Sequence, residues 1–247
     1  MYDIERQEKI LEILRREKSC SVAELAKLLC FSEATIRRDL NALDKEMKVR
    51  KTFGGAIIME RYSAEVPIGV RRSQNAAAKE RICRAAARLL QDNMTVFLDA
   101  SNTGEYILPY LERYSGLTVV TNNPDVPTML SGTDITVYST GGKYLHHSNA
   151  YVGEYARNTL RGINADLLFF SVRGLSLDGK LTTSSTEEDV HNVMIENAAK
   201  TCLLVDSTKI GKTFPFTVCR LQDIDVVVTD KPLPNDLNHP NVILADK

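Results

Sequence analysis

No run in the chain approaches the ~18 consecutive apolar residues that a membrane-spanning helix needs. Nor does the opening stretch, MYDIERQEKILEILRREK, have the apolar centre of a secretory leader, since charges fill it throughout. Both absences predict a cytoplasmic protein without a membrane partner. Cysteine is sparse and scattered: Cys20, Cys30, Cys83, Cys202 and Cys219 are odd in number and never spaced as CxxC. That pattern excludes a disulfide framework and a zinc knuckle alike. His146 and His147 are adjacent, so regular backbone cannot aim both at one ion. No metal and no cofactor are implied. An excess of charge is missing too, with 31 Lys and Arg against 32 Asp and Glu. Any case for nucleic acid must therefore rest on how the charge is distributed.

What is present suits a folded chain of ordinary composition. Hydrophobic residues at 43% and charged residues at 26% supply a core and give no sign of general disorder. A length of 247 residues favours two modules over one. Residues 1–60 carry 12 basic and 11 acidic side chains, a faintly basic head on a faintly acidic body.

The head reads as three helices and a hairpin. Ile4, Ile10, Leu11 and Leu14 form an apolar stripe over residues 3–18. Ser21-Val22-Ala23-Glu24 is a capping box that opens a second helix over 22–29. After the short break Cys30-Phe31, Ser32 caps a third helix with Ile36, Leu40 and Leu43 at i, i+4 and i+7. Helix, short turn, helix is the layout of a helix-turn-helix. The runs 49–53 and 56–58 flank Gly54-Gly55 as a candidate wing. In this layout the opening turns of the last helix enter the major groove, which selects Ser32, Glu33, Ala34, Thr35, Arg37 and Arg38, with Arg50 and Lys51 on the wing. Arg37 and Arg38 alone would read as a solvated face paired with Asp39 or Glu33. The two caps, the short turn and the wing turn that balance toward DNA.

Residues 59–78 lack an apolar period and contain Pro67 and Gly69, so they are expected to be a linker between the head, 1–58, and a second domain over 79–232, with 233–247 as a tail. In 79–232, short, near-continuous apolar strands alternate with helical segments. The expected fold is α/β, a Rossmann-like domain with a mostly parallel sheet covered on both faces. Asp99-Ala100-Ser101-Asn102-Thr103 falls where a strand gives way to a helix, a place that suits an anion and equally suits a plain cap. Asn122 and the pair Gly141-Gly142 also follow predicted strands, at the edge where open α/β sheets bind ligands.

ELAKLLCFSEATIRRDLNALDK followed by VRKTFGGA resembles the winged helix-turn-helix of the DeoR family of bacterial transcriptional regulators. The resemblance continues through AKERICRAAARLL, VFLDASNT, LTVVTNN, STGGK, LTTSSTEEDV, VDSTKIG and DIDVVVTD, nearly the whole chain. It departs at Met47, at Phe53 before the glycine pair, at Cys30-Phe31, and at His191-Asn192 where basic residues are common. The family's second domain resembles ribose-5-phosphate isomerase and senses phosphorylated sugars or other metabolites. Carried to this chain, the resemblance implies a phosphate or sugar site at Asp99, Ser101, Asn102 and Thr103, lined by Asn122, Gly141, Gly142 and Lys209. Asp166 and Glu187 are nominated for sugar hydroxyls, and Arg173 as a substitute cation. The implied function is repression of a sugar-metabolism operon by a homodimer or homotetramer on operator DNA, relieved by a phosphorylated sugar. Activation would use the same chemistry. The competing reading is a sugar-phosphate isomerase or hydrolase with Asp99, Asp166 or Glu187 as acid and base.

Overall fold

The computed structural model describes residues 3–17, 19–45, 49–52, 54–58, 68–184 and 190–245. It divides into two units, Met1–Val66 and Pro67–Lys247.

The first unit contains α1 (Asp3–Glu17), β1 (Ser19–Ser21), α2 (Val22–Leu29), α3 (Glu33–Lys45), β2 (Val49–Thr52) and β3 (Gly55–Ile58). Both expected caps form. Ser21 Oγ accepts from the Glu24 amide at 3.1 Å while the Glu24 carboxylate accepts from the Ser21 amide at 3.0 Å. Cys30 leaves α2 in the left-handed region (φ 58°), and Ser32 Oγ accepts from the Thr35 amide at 3.2 Å. The apolar stripes meet as a core of Ile10, Leu14, Leu25, Ile36, Leu40 and Leu43.

β1 was not legible in the sequence, because three residues carry no period. It pairs antiparallel with β3, which pairs antiparallel with β2. The close approach of β1 explains Gly55, where an added Cβ would lie 2.2 Å from the Cys20 carbonyl oxygen. Gly55→Ala should force β1 off β3 and lower the unfolding midpoint of this unit, at a cost of about 1–3 kcal/mol. Differential scanning calorimetry of the full chain checks this, with the transition of the second unit expected to be unmoved.

The second unit begins inside the expected linker. α4 (Ile68–Ser73) and the first turn of α5 (Ala76–Ala86) occupy residues assigned to it, so the linker as predicted is too long at its carboxyl end. Alanine-rich sequence starting at Ala76 favours helix before the apolar stripe becomes visible. Then follow β4 (Thr95–Leu98), α6 (Leu108–Leu111), β5 (Thr118–Thr121), α7 (Val126–Met129), β6 (Thr136–Ser139), β7 (Lys143–Leu145) and β8 (Ala150–Val152). α8 (Glu154–Arg161), β9 (Leu167–Phe170), β10 (Gly174–Leu175), β11 (Lys180–Thr183) and α9 (His191–Glu196) come next, before β12 (Thr201–Val205), β13 (Phe216–Arg220), β14 (Val226–Thr229) and β15 (Val242–Leu244).

Seven strands form one parallel sheet in the order β15-β14-β12-β9-β4-β5-β6. Side chains leave each central strand alternately into two cores. Val96, Leu98, Leu167, Phe169 and Leu204 enter one, and Phe97, Leu168, Phe170, Leu203 and Val205 enter the other. This accounts for the near-continuous apolar runs of the sequence. The predicted tail, 233–247, is corrected by β15, which pairs with β14 as the edge strand. Gly153, at φ 87°, separates β8 from α8.

From β4 the chain runs outward through β5 and β6 and then returns to β9 on the other side of β4. The strand order therefore reverses between β4 and β9, and the carboxyl ends of these two strands mark the crevice where such sheets take ligands.

Candidate DNA-reading face and effector site

On α3 the buried residues are Ile36, Asp39, Leu40 and Leu43, leaving Glu33, Ala34, Arg37, Arg38 and Asn41 exposed together on the other side. Arg37 Nη2 bonds Glu33 Oε2 at 3.1 Å, one turn away and well exposed. Such a pair is worth only about 0.3–0.5 kcal/mol, so it yields readily to a phosphate or a base. Arg38 is exposed, and no ion pair holds it among the described residues. Ser32 and Thr35 are committed to the cap, their hydroxyls 2.9 Å apart. Lys51 Nζ reaches Asn41 Oδ1 at 2.5 Å and the Lys51 amide donates to Asp44 at 3.0 Å, which brings β2 onto the exposed side of α3. The side chains of Arg50, Met47 and Phe53 lie outside the described residues.

Asp39, one of the two acids expected to neutralise an arginine of the reading face, points the other way. It accepts from Arg6 Nε at 2.5 Å and Arg6 Nη2 at 3.0 Å, both side chains being buried. The Arg6 guanidinium also lies 4.7 Å from the centre of the Phe31 ring. Sequence inspection missed this clamp between α1 and α3.

In the second unit the β4–β9 crevice is crossed by Asp99, which is buried. Its Oδ1 accepts from the Ser101 amide at 3.2 Å, and its Oδ2 from the Ser171 amide at 3.0 Å, with His191 Nε2 at 3.1 Å. Ser101 Oγ accepts from the Gly104 amide at 3.0 Å and so caps a 3-10 turn over Gly104–Ile107. Asn102 is half-buried beside it. Thr103 is buried and accepts on Oγ1 from Lys209 Nζ at 3.1 Å; the same ammonium donates to Ser171 Oγ at 2.7 Å and lies 3.8 Å from Asp206 Oδ2. A fifth of the Lys209 side chain remains exposed, which leaves this ammonium a way out to a ligand. Burial moves its pKa down to about 8, against the pull of Asp206.

Lys79 of α5 was not singled out in the sequence, although it falls in register with the buried Ile82, Cys83 and Ala86. It is buried, burial lowers its pKa, and its charge acts on Lys209. The Lys209 ammonium thus meets the Thr103 and Ser171 hydroxyls, and Asp206, which also stabilises the Lys79 charge, offsets part of the cost of its burial. Arg173, just past β9, adds its charge to the same neighbourhood.

The remaining nominated residues divide. Asn122 follows β5, donates from Nδ2 to the Tyr151 carbonyl at 3.1 Å, and keeps Oδ1 buried without a partner among the described residues. Gly141 and Gly142 both take positive φ; a Cβ on Gly142 would lie 2.7 Å from the Val152 carbonyl, so this glycine serves the packing of β8 and α8. Asp166 is a correction: it accepts from the Thr95 amide at 2.7 Å, where β4 begins, which puts it at the amino edge of the sheet, a strand's length from Asp99. Asp166 precedes β9 while Asp99 follows β4, so chain order in a parallel sheet sets them at opposite edges. Glu187 lies outside the described residues. An open groove at that amino edge, lined by Leu89, Lys200, Asp225 and Asn241 among others, holds none of the other nominated residues, and Asp225 is already bonded to the Thr201 amide and hydroxyl. No cluster of His, Cys, Asp and Glu able to hold a metal occurs among the described residues, and no described helix is long and apolar enough to cross a membrane.

A helix-turn-helix that presents arginines, joined to an α/β unit with a polar crevice at its switch point, has the layout of a DNA-binding regulator with a sensor domain. Residues 6–62 match the DeoR-like helix-turn-helix domain and residues 74–231 the DeoR C terminal sensor domain. The chain belongs to the DeoR family of transcriptional regulators. It is 34% identical to the uncharacterized HTH-type transcriptional regulator YulB of Bacillus subtilis, over 93% of this chain and 89% of that one. Identity to the HTH-type transcriptional regulator GolR of Listeria innocua is 31%, over 94% and 92%. For the glycerol-3-phosphate regulon repressor of Escherichia coli it is 29%, over 95% and 93%. These relatives are regulators and not enzymes. Ribose 5-phosphate isomerase of Methanocaldococcus jannaschii superposes with a TM-score of 0.41 at 14% identity, over 56% of this chain and 55% of that one, too loosely to carry a functional inference.

Proposed function

We propose that the protein represses a sugar-metabolism operon and leaves its operator when a phosphorylated sugar occupies the β4–β9 crevice. One observation carries the effector half: the Lys209 ammonium is held at the switch point by the Thr103 and Ser171 hydroxyls. A phosphoryl oxygen is a closer charged acceptor for this ammonium than the Asp206 carboxylate at 3.8 Å. Asn122 Oδ1, an acceptor without a donor, suits a sugar hydroxyl at the next strand end. The glycerol-3-phosphate regulon repressor, a relative along nearly its full length, supports the same class of ligand. A homodimer or homotetramer is the expected state, because two reading helices must meet half-sites about one DNA turn apart.

A thermal-shift screen of sugar phosphates and their unphosphorylated forms tests this. A ligand at a hundredfold excess over its Kd should stabilise the second unit by about 2.7 kcal/mol and reduce operator binding. Stabilisation by unphosphorylated sugars alone would sink the phosphate assignment.

The reading face gives a separate expectation. Arg38→Ala should weaken operator binding by about 5- to 150-fold, the equivalent of ~1–3 kcal/mol. Lys51→Ala should weaken binding to all sequences alike and reduce the slope of log affinity against log salt by about 0.9. Titrations of operator and scrambled duplex at several salt concentrations separate a base contact from a phosphate contact.

A further inference from the structure

α4 is the first described element of the second unit, and residues 59–67 tie it covalently to the head. Groups at the carboxyl edge of the sheet hold it, and Arg71 Nη2 also donates to the His147 carbonyl at 2.6 Å. Arg72 Nε and Nη2 donate to the two Glu105 oxygens, both at 2.9 Å, and Nη2 also bonds Asp125. Asn123 Nδ2 holds Glu105 at 2.9 Å, and Asn149 Nδ2 holds Asp125 at 3.0 Å. The Tyr106 hydroxyl donates to the Arg72 carbonyl at 2.9 Å, and Lys79 Nζ donates to the Arg71 carbonyl at 2.6 Å.

The segment that follows α4 also meets the effector crevice at two points. Cys83 stands one turn beyond Lys79 on the same side of α5, and its thiol lies 3.0 Å from the carbonyl of Thr103, the residue whose hydroxyl receives Lys209. Asn75, in the turn between α4 and α5, donates to Asp206 at 3.4 Å and to the Thr208 hydroxyl at 3.1 Å. The Lys79 ammonium thus joins a carbonyl in the last turn of α4 to the face of α5, marked by Asn75 and Cys83, that meets the crevice. Asp206 on one side and Glu105 on the other both stabilise its charge.

We propose that Lys79 is the coupling residue between effector and DNA-binding head: an anion on Lys209 competes with the Arg71 carbonyl for the Lys79 ammonium, and its arrival loosens α4. This rests on the crevice being the anion site. A charge-assisted bond is stronger when its acceptor is also charged, so a phosphoryl oxygen outcompetes a carbonyl for the same ammonium. The Arg71 carbonyl then loses a donor at a helix end, where carbonyls have no partner within the helix. Arg72 stays on Glu105, so α4 frays without detaching, and the ligand needs differential affinity for two local arrangements only.

Hydrogen exchange of the full-length protein with and without millimolar inorganic phosphate tests this. Phosphate should slow exchange over 99–104 and 206–209, and speed it over 70–75 by about ten- to a hundredfold, the effect of losing one hydrogen bond to a charged group. In Lys79→Gln, exchange over 70–75 should be fast from the start and insensitive to phosphate. Tyr106→Phe removes a fastening of α4 away from the crevice; it should speed 70–75 without phosphate and leave the protection of 99–104 intact. If phosphate protects neither 99–104 nor 206–209 in the wild type, the anion site itself falls and the coupling with it. If it protects them while exchange over 70–75 is unchanged, the anion site stands and the coupling role of Lys79 is overturned.

Discussion

Asp39→Ala should abolish operator binding although its carboxylate faces away from DNA. The substitution takes away both of the bonds that Asp39 gives the buried Arg6 guanidinium between α1 and α3. Removing one partner of a buried pair costs about 3–5 kcal/mol. A unit of 66 residues has only roughly 3–10 kcal/mol of stability at ~0.05–0.15 kcal/mol per residue. Much of the population would therefore lose the packing that holds α3. Denaturant titration, followed by circular dichroism and by operator binding, should show the head unfolding at lower denaturant while the second unit keeps its own midpoint. The double variant Arg6→Met, Asp39→Leu removes both charges together and should recover most of the stability, because a buried pair is often no better than apolar residues of similar volume. If the double variant is as unstable as Asp39→Ala, the clamp is not what fails.

The same pair shows what the sequence concealed. The three helices of the head, their caps and the sheet strands were legible, since apolar periods and capping boxes are local signals that tertiary packing then used as written. Arg6, Asp39 and Lys79 carry a different signal. Each falls in the apolar register of its helix, Arg6 with Ile10 and Leu14, Asp39 with Ile36 and Leu43, Lys79 with Ile82, Cys83 and Ala86. A charge in an apolar stripe invites the question of what compensates it. Asp166 failed for a different reason. Asp166 precedes its strand, which in a parallel sheet puts it at the amino edge, whereas Asp99 and Lys209 follow theirs; its nomination came from the resemblance and overlooked that order. The strand β1 was hidden because its pairing depends on Gly55, some thirty residues further along the chain.

Lys209→Met should separate effector binding from stability with opposite signs. The ammonium is held by Thr103 and Ser171 and opposed by its own burial, with Lys79 and Arg173 adding repulsion and Asp206 and Asp99 offsetting it. An unfolded lysine titrates near 10.4, and this one near 8 when folded. The folded state therefore binds the proton less tightly than the unfolded state. Below pH 8 both states are protonated and the site carries a constant penalty; between about 8 and 10.4 the unfolded chain binds more protons, so this group makes stability rise with pH across that window. A fifth of the side chain still reaches solvent, which leaves the penalty at roughly 1–3 kcal/mol. Methionine removes it, so the variant should unfold no earlier than wild type at pH 7. Anion binding runs the other way, because only the ammonium attracts a phosphoryl group: affinity should be about tenfold weaker at pH 9 than at pH 7 in the wild type. In Lys209→Met it should be low at both. Isothermal titration with a hit from the sugar-phosphate screen, at pH 7 and pH 9, reads the affinity directly. An affinity at pH 7 that Lys209→Met leaves unchanged would remove Lys209 from the anion site, whatever the variant does to stability.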